Sequence, residues 1–314
     1  MAAVAGAPTA WVLALGILVA GSSTGLASPP MGEAVARAIH KSLRDRANAL
    51  INCGTSVGIA VSGPAALVAT GQWRLAWAAF AFAGLAVLVW NTVVLPSKAV
   101  VGEEEREEMG EYDAGTGSKL APYFYYLMGE QVRPRSLPLF AAAFGLGFAS
   151  AVYWTFGREL VVQTGDLGRM GSTLFWIIIG VSGLAGGAAG DLIKRFGLTA
   201  VLRGALISMA FSIALLATAP GILTLAYASA TLFGSTYIML TGVILVWSVS
   251  VFQERPSTGL GAGFLVIAVG QVIGSPIAGS LAGTTTPSTA FFAFAAAAAL
   301  AACVRPHPKD TGVT

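Results

Sequence analysis

The sequence predicts an all-α polytopic membrane helix bundle, and three observations carry that prediction. Of 314 residues, 55% are hydrophobic and only 11% charged, where an ordinary soluble domain has about 25% charged residues. That much apolar surface is more than one globular core can take in, because cores stop growing at roughly 250–300 residues. The apolar residues fall in runs close to the ~20 needed for a helix to cross about 30 Å of hydrocarbon. Lys and Arg gather on alternate connections between those runs.

Nine spans are predicted. The first, 10–38, is glycine-rich and carries Glu33 and Arg37 four residues apart, a spacing that lets the pair neutralise itself on one helix face. The second, 49–70, holds Asn52 and the Gly63-Pro64 pair, and the third is 74–96. Residues 97–135 follow as a charged, glycine-containing linker, "GEEEREEMGEYDAGTGSK", with the composition of a solvated tether. Its end, "APYFYYLMG", has the aromatic character of a patch at headgroup depth. The fourth span, 136–160, ends in "VYWTFGREL". Arg158 there stands about 33 Å along the helix at 1.5 Å per residue, which is a membrane mouth. Tyr153 and Trp154 suit either an interfacial belt or the walls beside a substrate-recruiting arginine.

The fifth and sixth spans, 170–190 and 198–219, are separated by "GDLIKRFG". Asp, Lys or Arg at a span centre costs about 2.5–3.5 kcal/mol each, against about 0.3–0.6 gained per Leu or Ile. One helix cannot continue through three of them, so Gly190, Asp191, Lys194, Arg195 and Gly197 are expected to form a tight connection at a membrane surface. The last three spans are 223–251, with Tyr237 and Thr241, 259–282, with Gln271 and Pro276, and 286–304. A tail, 305–314, closes the chain.

Threading nine spans alternately leaves Arg74, Arg158 and Arg169 on one side and the other 15 of the 18 Lys and Arg on the opposite side. The positive-inside rule places the larger set, and with it the C-terminus, in the cytoplasm. The net charge of +3 therefore reports orientation, and no nucleic-acid partner is expected. The two cysteines, Cys53 and Cys303, lie in apolar runs and build no disulfide framework. His40 and His307 lie outside the runs. No metal site and no cofactor are expected, and an enzyme is disfavoured because no His, Asp or Cys cluster lies within the spans. The N-terminus lacks the positive n-region of a signal peptide.

The chain partly repeats itself at a shift of 212 residues. Val57, Gly58, Pro64 and Ala66 fall on Val269, Gly270, Pro276 and Ala278, and "FAFA" at 80–83 falls on "FAFA" at 292–295. Spans 1–3 thus look like spans 7–9. Repeated membrane halves with substrate held between them are a transporter pattern.

These residues resemble the major facilitator superfamily over nearly the whole chain. That family has twelve spans in two six-span halves, and a loop between the second and third span of each half reading Gly-x-Leu-x-Asp-Arg-x-Gly. Gly190, Leu192, Arg195 and Gly197 match it, while Lys194 stands at the Asp position and Asp191 is the candidate substitute. The family's Arg-x-x-x-Gly-x-x-x-Gly pattern maps to Ile17, Gly21 and Gly25; its arginine is absent, so the proton-coupling role tied to it is not carried over. "GPAALV" lacks the double glycine of the antiporter motif.

The resemblance implies nine of twelve helices. Residues 1–96 would be the last three spans of the N-terminal half, 97–135 the cytoplasmic linker, 136–304 the six-span C-terminal half and 305–314 a cytoplasmic tail. It leaves two readings of the beginning: a gene that starts upstream of Met1, which is favoured, or a degenerate transporter. It implies a secondary active transporter of a small solute in the plasma (inner) membrane, working by alternating access and driven by a proton or solute gradient; nothing resembles an ATP-binding P-loop. The alternative is a non-transporting membrane protein or a truncated remnant. On this alignment Asn52, Tyr153, Trp154, Arg158, Tyr237, Thr241 and Gln271 are candidates to line the substrate cavity. Gly190, Asp191, Lys194, Arg195 and Gly197 are candidates for a cytoplasmic gate, and Gly63, Pro64 and Pro276 for hinges. Interhelical hydrogen bonding is the plainer role for the polar members.

Overall fold

The computed structural model describes residues 1–17, 19–21, 31, 34–35, 39–40, 43–69, 71–94, 136–165, 168–253 and 256–307. The linker 97–135 and the Glu33–Arg37 pair lie outside the described residues, as does most of the second half of the first predicted span. Every regular element among the described residues is a helix. In chain order these are α1 (Ala2–Ala5) and α2 (Ala10–Gly21), then α3 (Arg44–Val68), α4 (Trp73–Val94), α5 (Leu137–Gly165) and α6 (Arg169–Gly183). A 3₁₀ segment (Leu184–Ala188) leads into α7 (Ala189–Phe196), followed by α8 (Leu198–Thr218), α9 (Leu223–Val251), α10 (Pro256–Thr284) and α11 (Pro287–Ala301). Among the described residues, seven stretches are long and apolar enough to cross a membrane, the run Met170–Phe196 counting as one. α2 and α11 are shorter apolar helices. Eight of the nine predicted spans have limits within about six residues of these helices, while the first, 10–38, is described as helix only over Ala10–Gly21.

The chain divides into two compact units. In the first, residues 1–23 and 68–134, α1 packs on α4. Val4 is fully buried, and Arg74 donates to the Ala7 carbonyl at 3.0 Å. α4 itself buries no residue. An apolar helix exposed on all sides belongs in lipid, where its side chains lose nothing by facing outward.

The second unit, residues 24–67 and 135–314, contains α3 and all of α5–α11. Within it α5 packs along α10 and α11, α8 packs against α9 and α11, and α9 packs along α6. Lipid tails supply no hydrophobic drive between helices, so close packing must hold them together. Two kinds of contact do so. Small residues let α5 and α10 touch backbone to backbone: a Cβ on Gly147 would stand 2.0 Å from the Ile267 carbonyl oxygen. Large side chains fill the middle, where Tyr153, Phe175, Phe233, Phe291 and Trp247 are all sealed. Tyr153 stacks on Phe233 at 3.8 Å between ring centres and on Phe175 at 5.9 Å. Its hydroxyl meets Ser229 at 2.8 Å, and Ser229 in turn donates to the Ser212 carbonyl at 2.7 Å.

The repeat seen in the sequence has a structural counterpart. Pro64 and Pro276 lie inside α3 and α10, and the interval from Arg44 to Pro64 equals that from Pro256 to Pro276. Each proline removes one helix hydrogen bond at the same level of its helix.

The charged stretch departs from expectation. It is not a loop. α7 carries Asp191 in its first turn and Lys194 and Arg195 in its last, and the connection to α8 is the single residue Gly197, at φ +79 and ψ 153. Cations at a helix C-terminus complement its dipole, so the charges are tolerated on helix as long as that helix ends there. Only glycine adopts such a φ without strain, which is why the turn needs no more residues.

Candidate functional site

Two neighbouring features of the second unit collect the candidate residues. The first is the seam between α3 and the run α6–α7. Here α3 runs antiparallel to α6, with Ser62 and Ala60 at one end and Arg46 at the other. Trp176 Nε1 donates to Ser62 Oγ at 3.0 Å. A Cβ on Gly63 would reach 2.9 Å from Ile177, one on Gly180 2.3 Å from the Ala60 nitrogen, and one on Gly183 2.5 Å from Ser56 Oγ. Glycine at 180 and 183 is therefore what allows the backbones to meet. Farther along, Cys53 donates to the Leu184 carbonyl at 3.6 Å, where the helix tightens to 3₁₀ over "LAGGA". Such a stretch within a long helix is a natural point of bending.

Asn52 lies beside Cys53 on this seam and turns to α9. It donates to Thr241 Oγ1 at 2.9 Å and to the Ile238 carbonyl at 3.1 Å. Both side chains are buried; this pair ties helices together. At the far end Arg46 Nε stands 3.2 Å from Asp191 Oδ1, with side chains 65% and 51% exposed. Asp191 thus has a cationic partner on α3, although Lys194 occupies the carboxylate position of the resembling motif. Arg195 instead stacks over Phe196 at 5.2 Å. Gly190 is buried at the start of α7.

The second feature is a polar and aromatic column. Ser150, Trp154 and Arg158 recur every four residues and so share one face of α5. Arg158 Nη2 donates to Ser172 Oγ at 3.2 Å. One turn along, the Trp154 ring meets Trp176 edge-on at 5.7 Å and Tyr237 at 5.0 Å. Gln271 Nε2 donates to Tyr237 Oη at 3.1 Å and reaches Ser150 Oγ at 3.5 Å. Ser275 and Thr155 pair beside them at 3.2 Å. The column joins Trp154, Arg158, Tyr237 and Gln271 from the predicted cavity set. It leaves out Tyr153, whose ring and hydroxyl are used inside the bundle, and Asn52 and Thr241, which bond α3 to α9.

Arg46, Ser56, Ser62, Ser150, Trp176 and Gly180 were not among the predicted residues. Gly180, Gly183 and Gly187 do follow a three- and four-residue spacing that marks one helix face, a signal of close approach readable in advance. Nothing in the sequence says which helix approaches.

A family model described as Major Facilitator Superfamily matches residues 1–275. No curated protein matches the chain significantly.

Proposed function

We propose, from the premise that the chain belongs to the Major Facilitator Superfamily, that its α3–α6 seam opens and closes to carry a small solute past the polar column. Membership makes it a multi-pass membrane protein and a secondary transporter rather than an enzyme. The finer reading is ours. Residues 1–96 and 136–304 act as the two moving parts, joined by 97–135, with 305–314 as a tail. The mechanism is alternating access, with the solute taken near the bilayer midplane between halves. The Asp191 end faces the cytoplasm of a cell whose plasma (inner) membrane holds the protein, because 15 of 18 Lys and Arg fall on that side.

One observation carries this reading: the seam is long, glycine-lined and closed at one end by an exposed ion pair. Exposed pairs contribute only about 0–1 kcal/mol, so Arg46–Asp191 latches without locking. Gly190, Lys194, Arg195 and Gly197 shape that latch by ending the helix abruptly. Gly63 permits the close contact, while Pro64, Pro276 and the 3₁₀ segment supply points of bending. A proton or solute gradient supplies the energy.

The two native cysteines test both parts. Cys53 is buried in the seam and Cys303 exposed after α11. In intact cells a membrane-impermeant maleimide should leave Cys303 unlabelled until the membrane is permeabilised. In a Cys303→Ser chain, a permeant maleimide should label Cys53 within minutes to hours as the seam opens. Labelling of Cys303 from outside overturns the orientation; complete protection of Cys53 in the folded protein overturns the opening.

A further inference from the structure

Resting on the transport reading, we infer that the column selects an organic anion with a flat apolar body, its acidic head held at Arg158 and its body against Trp154, Trp176 and Tyr237.

Charge is the first argument. Among the described residues, Arg158 is the one formal charge on the column. Its one hydrogen-bond partner is the neutral Ser172 hydroxyl. The adjacent Glu159 is not ion-paired with it; that carboxylate accepts from Gln163 Nε2 at 2.6 Å instead. A guanidinium that makes no ion pair among the described residues, beside low-dielectric walls, attracts anions and repels cations, and its fork matches a carboxylate bidentately. Aromatic faces alone would welcome a cation; Arg158, one turn away, opposes it.

The second argument is an unsatisfied donor. The Trp154 indole N–H is sealed from water and has no partner of regular hydrogen-bond geometry; the acceptor beside it is the Tyr237 hydroxyl. Buried polar groups are rarely left in that state. It lies one helical turn from Arg158 on the same face, so a single ligand with two acceptor oxygens could reach both. Below it, Gln271 donates to both Tyr237 and Ser150, and the three offer neutral polarity rather than a second charge. Trp154 meets Trp176 and Tyr237 edge to face, and these rings are the apolar surface the ligand's body would lie against.

The test uses the purified full chain in detergent and three probes of one shape: benzoate, benzamide and benzylamine. Ligand-induced thermal stabilisation gives half-saturation for each. Benzoate is expected to half-saturate at least about tenfold below the other two, as a charged bidentate pair allows. Arg158→Gln should bring benzoate to the level of benzamide without lowering the ligand-free melting temperature, while Arg158→Lys should keep part of the preference. Trp154→Phe, which removes the N–H donor together with part of the ring, should weaken benzoate more than benzylamine. Equal response to all three probes, no response to benzoate, or a benzoate preference unchanged in Arg158→Gln would overturn the inference. Cys53 labelling separates the two readings: a seam that opens without benzoate preference sinks this inference alone, and a sealed seam with that preference sinks transport alone.

Discussion

The aromatic middle of the six-helix bundle and the seam along α3 are built from opposite materials. In the bundle, Tyr153, Phe175, Phe233 and Phe291 interlock, and the one hydroxyl among them, that of Tyr153, is satisfied in a chain through Ser229 to the Ser212 carbonyl. In the seam the closely facing residues are Gly180, Gly183, Ala60, Ser56 and Cys53, with the Trp176–Ser62 bond at one end and, among the described residues, one exposed ion pair at the other. Interlocked large side chains resist sliding because each must leave its pocket. Smooth faces of small residues give contact with little interlock. On the proposed mechanism the first region moves as a body and the second is where movement costs least.

Substitutions should break that contrast in graded steps. Phe233→Ala removes a ring that touches Tyr153, Trp154 and Tyr237 at once. A loss of about 3–5 kcal/mol is expected, seen as a large drop in melting temperature and in the yield of folded protein; an unchanged melting temperature would show that the aromatic middle is not what holds the bundle. Gly180→Val places a branched side chain where even a Cβ lies 2.3 Å from the Ala60 backbone. Overpacking of this kind costs about 1–3 kcal/mol. Because α3 can move away, the expected readout is faster Cys53 labelling, by roughly tenfold, with the bundle still folded. Loss of folded protein instead would mean that the seam is as rigid as the core.

The smallest effect belongs to Asp191→Asn. The pair it breaks is more than half exposed, so water and salt screen most of its attraction and about 0–1 kcal/mol is at stake. Cys53 labelling should quicken by no more than about fivefold, and an exchanged pair, Arg46→Asp with Asp191→Arg, should restore part of the difference. No recovery in the exchanged pair would mean that the contact is not electrostatic.

Much of this architecture was legible in the sequence, since the length of an apolar run is itself a physical constraint. The predicted 223–251 coincides with α9, and the predicted 136–160 falls short of α5 only at Val161–Gly165. The charged stretch was located but its form was not. Transfer costs exclude Asp191, Lys194 and Arg195 from mid-membrane, yet they cannot distinguish a loop from a helix that stops at Gly197. The column was half legible. Polar residues within spans announced Tyr237 and Gln271, but their bond to each other needs the facing of α9 and α10, which no local pattern fixes. Tyr153 and Trp154 show the limit most simply. They are neighbours in sequence, and a helix turns about 100° between them, so one ring enters the bundle middle while the other joins the column.

The measurement that bears most directly on the moving seam is a distance. Spin labels at Leu50 on α3 and Phe196 on α7, both exposed, in a chain with Cys53→Ser and Cys303→Ser, report the separation of the latched end in lipid nanodiscs. A mobile seam gives two distance populations, with Gly180→Val enriching the longer one. A single narrow distance that Gly180→Val leaves unchanged would contradict the account.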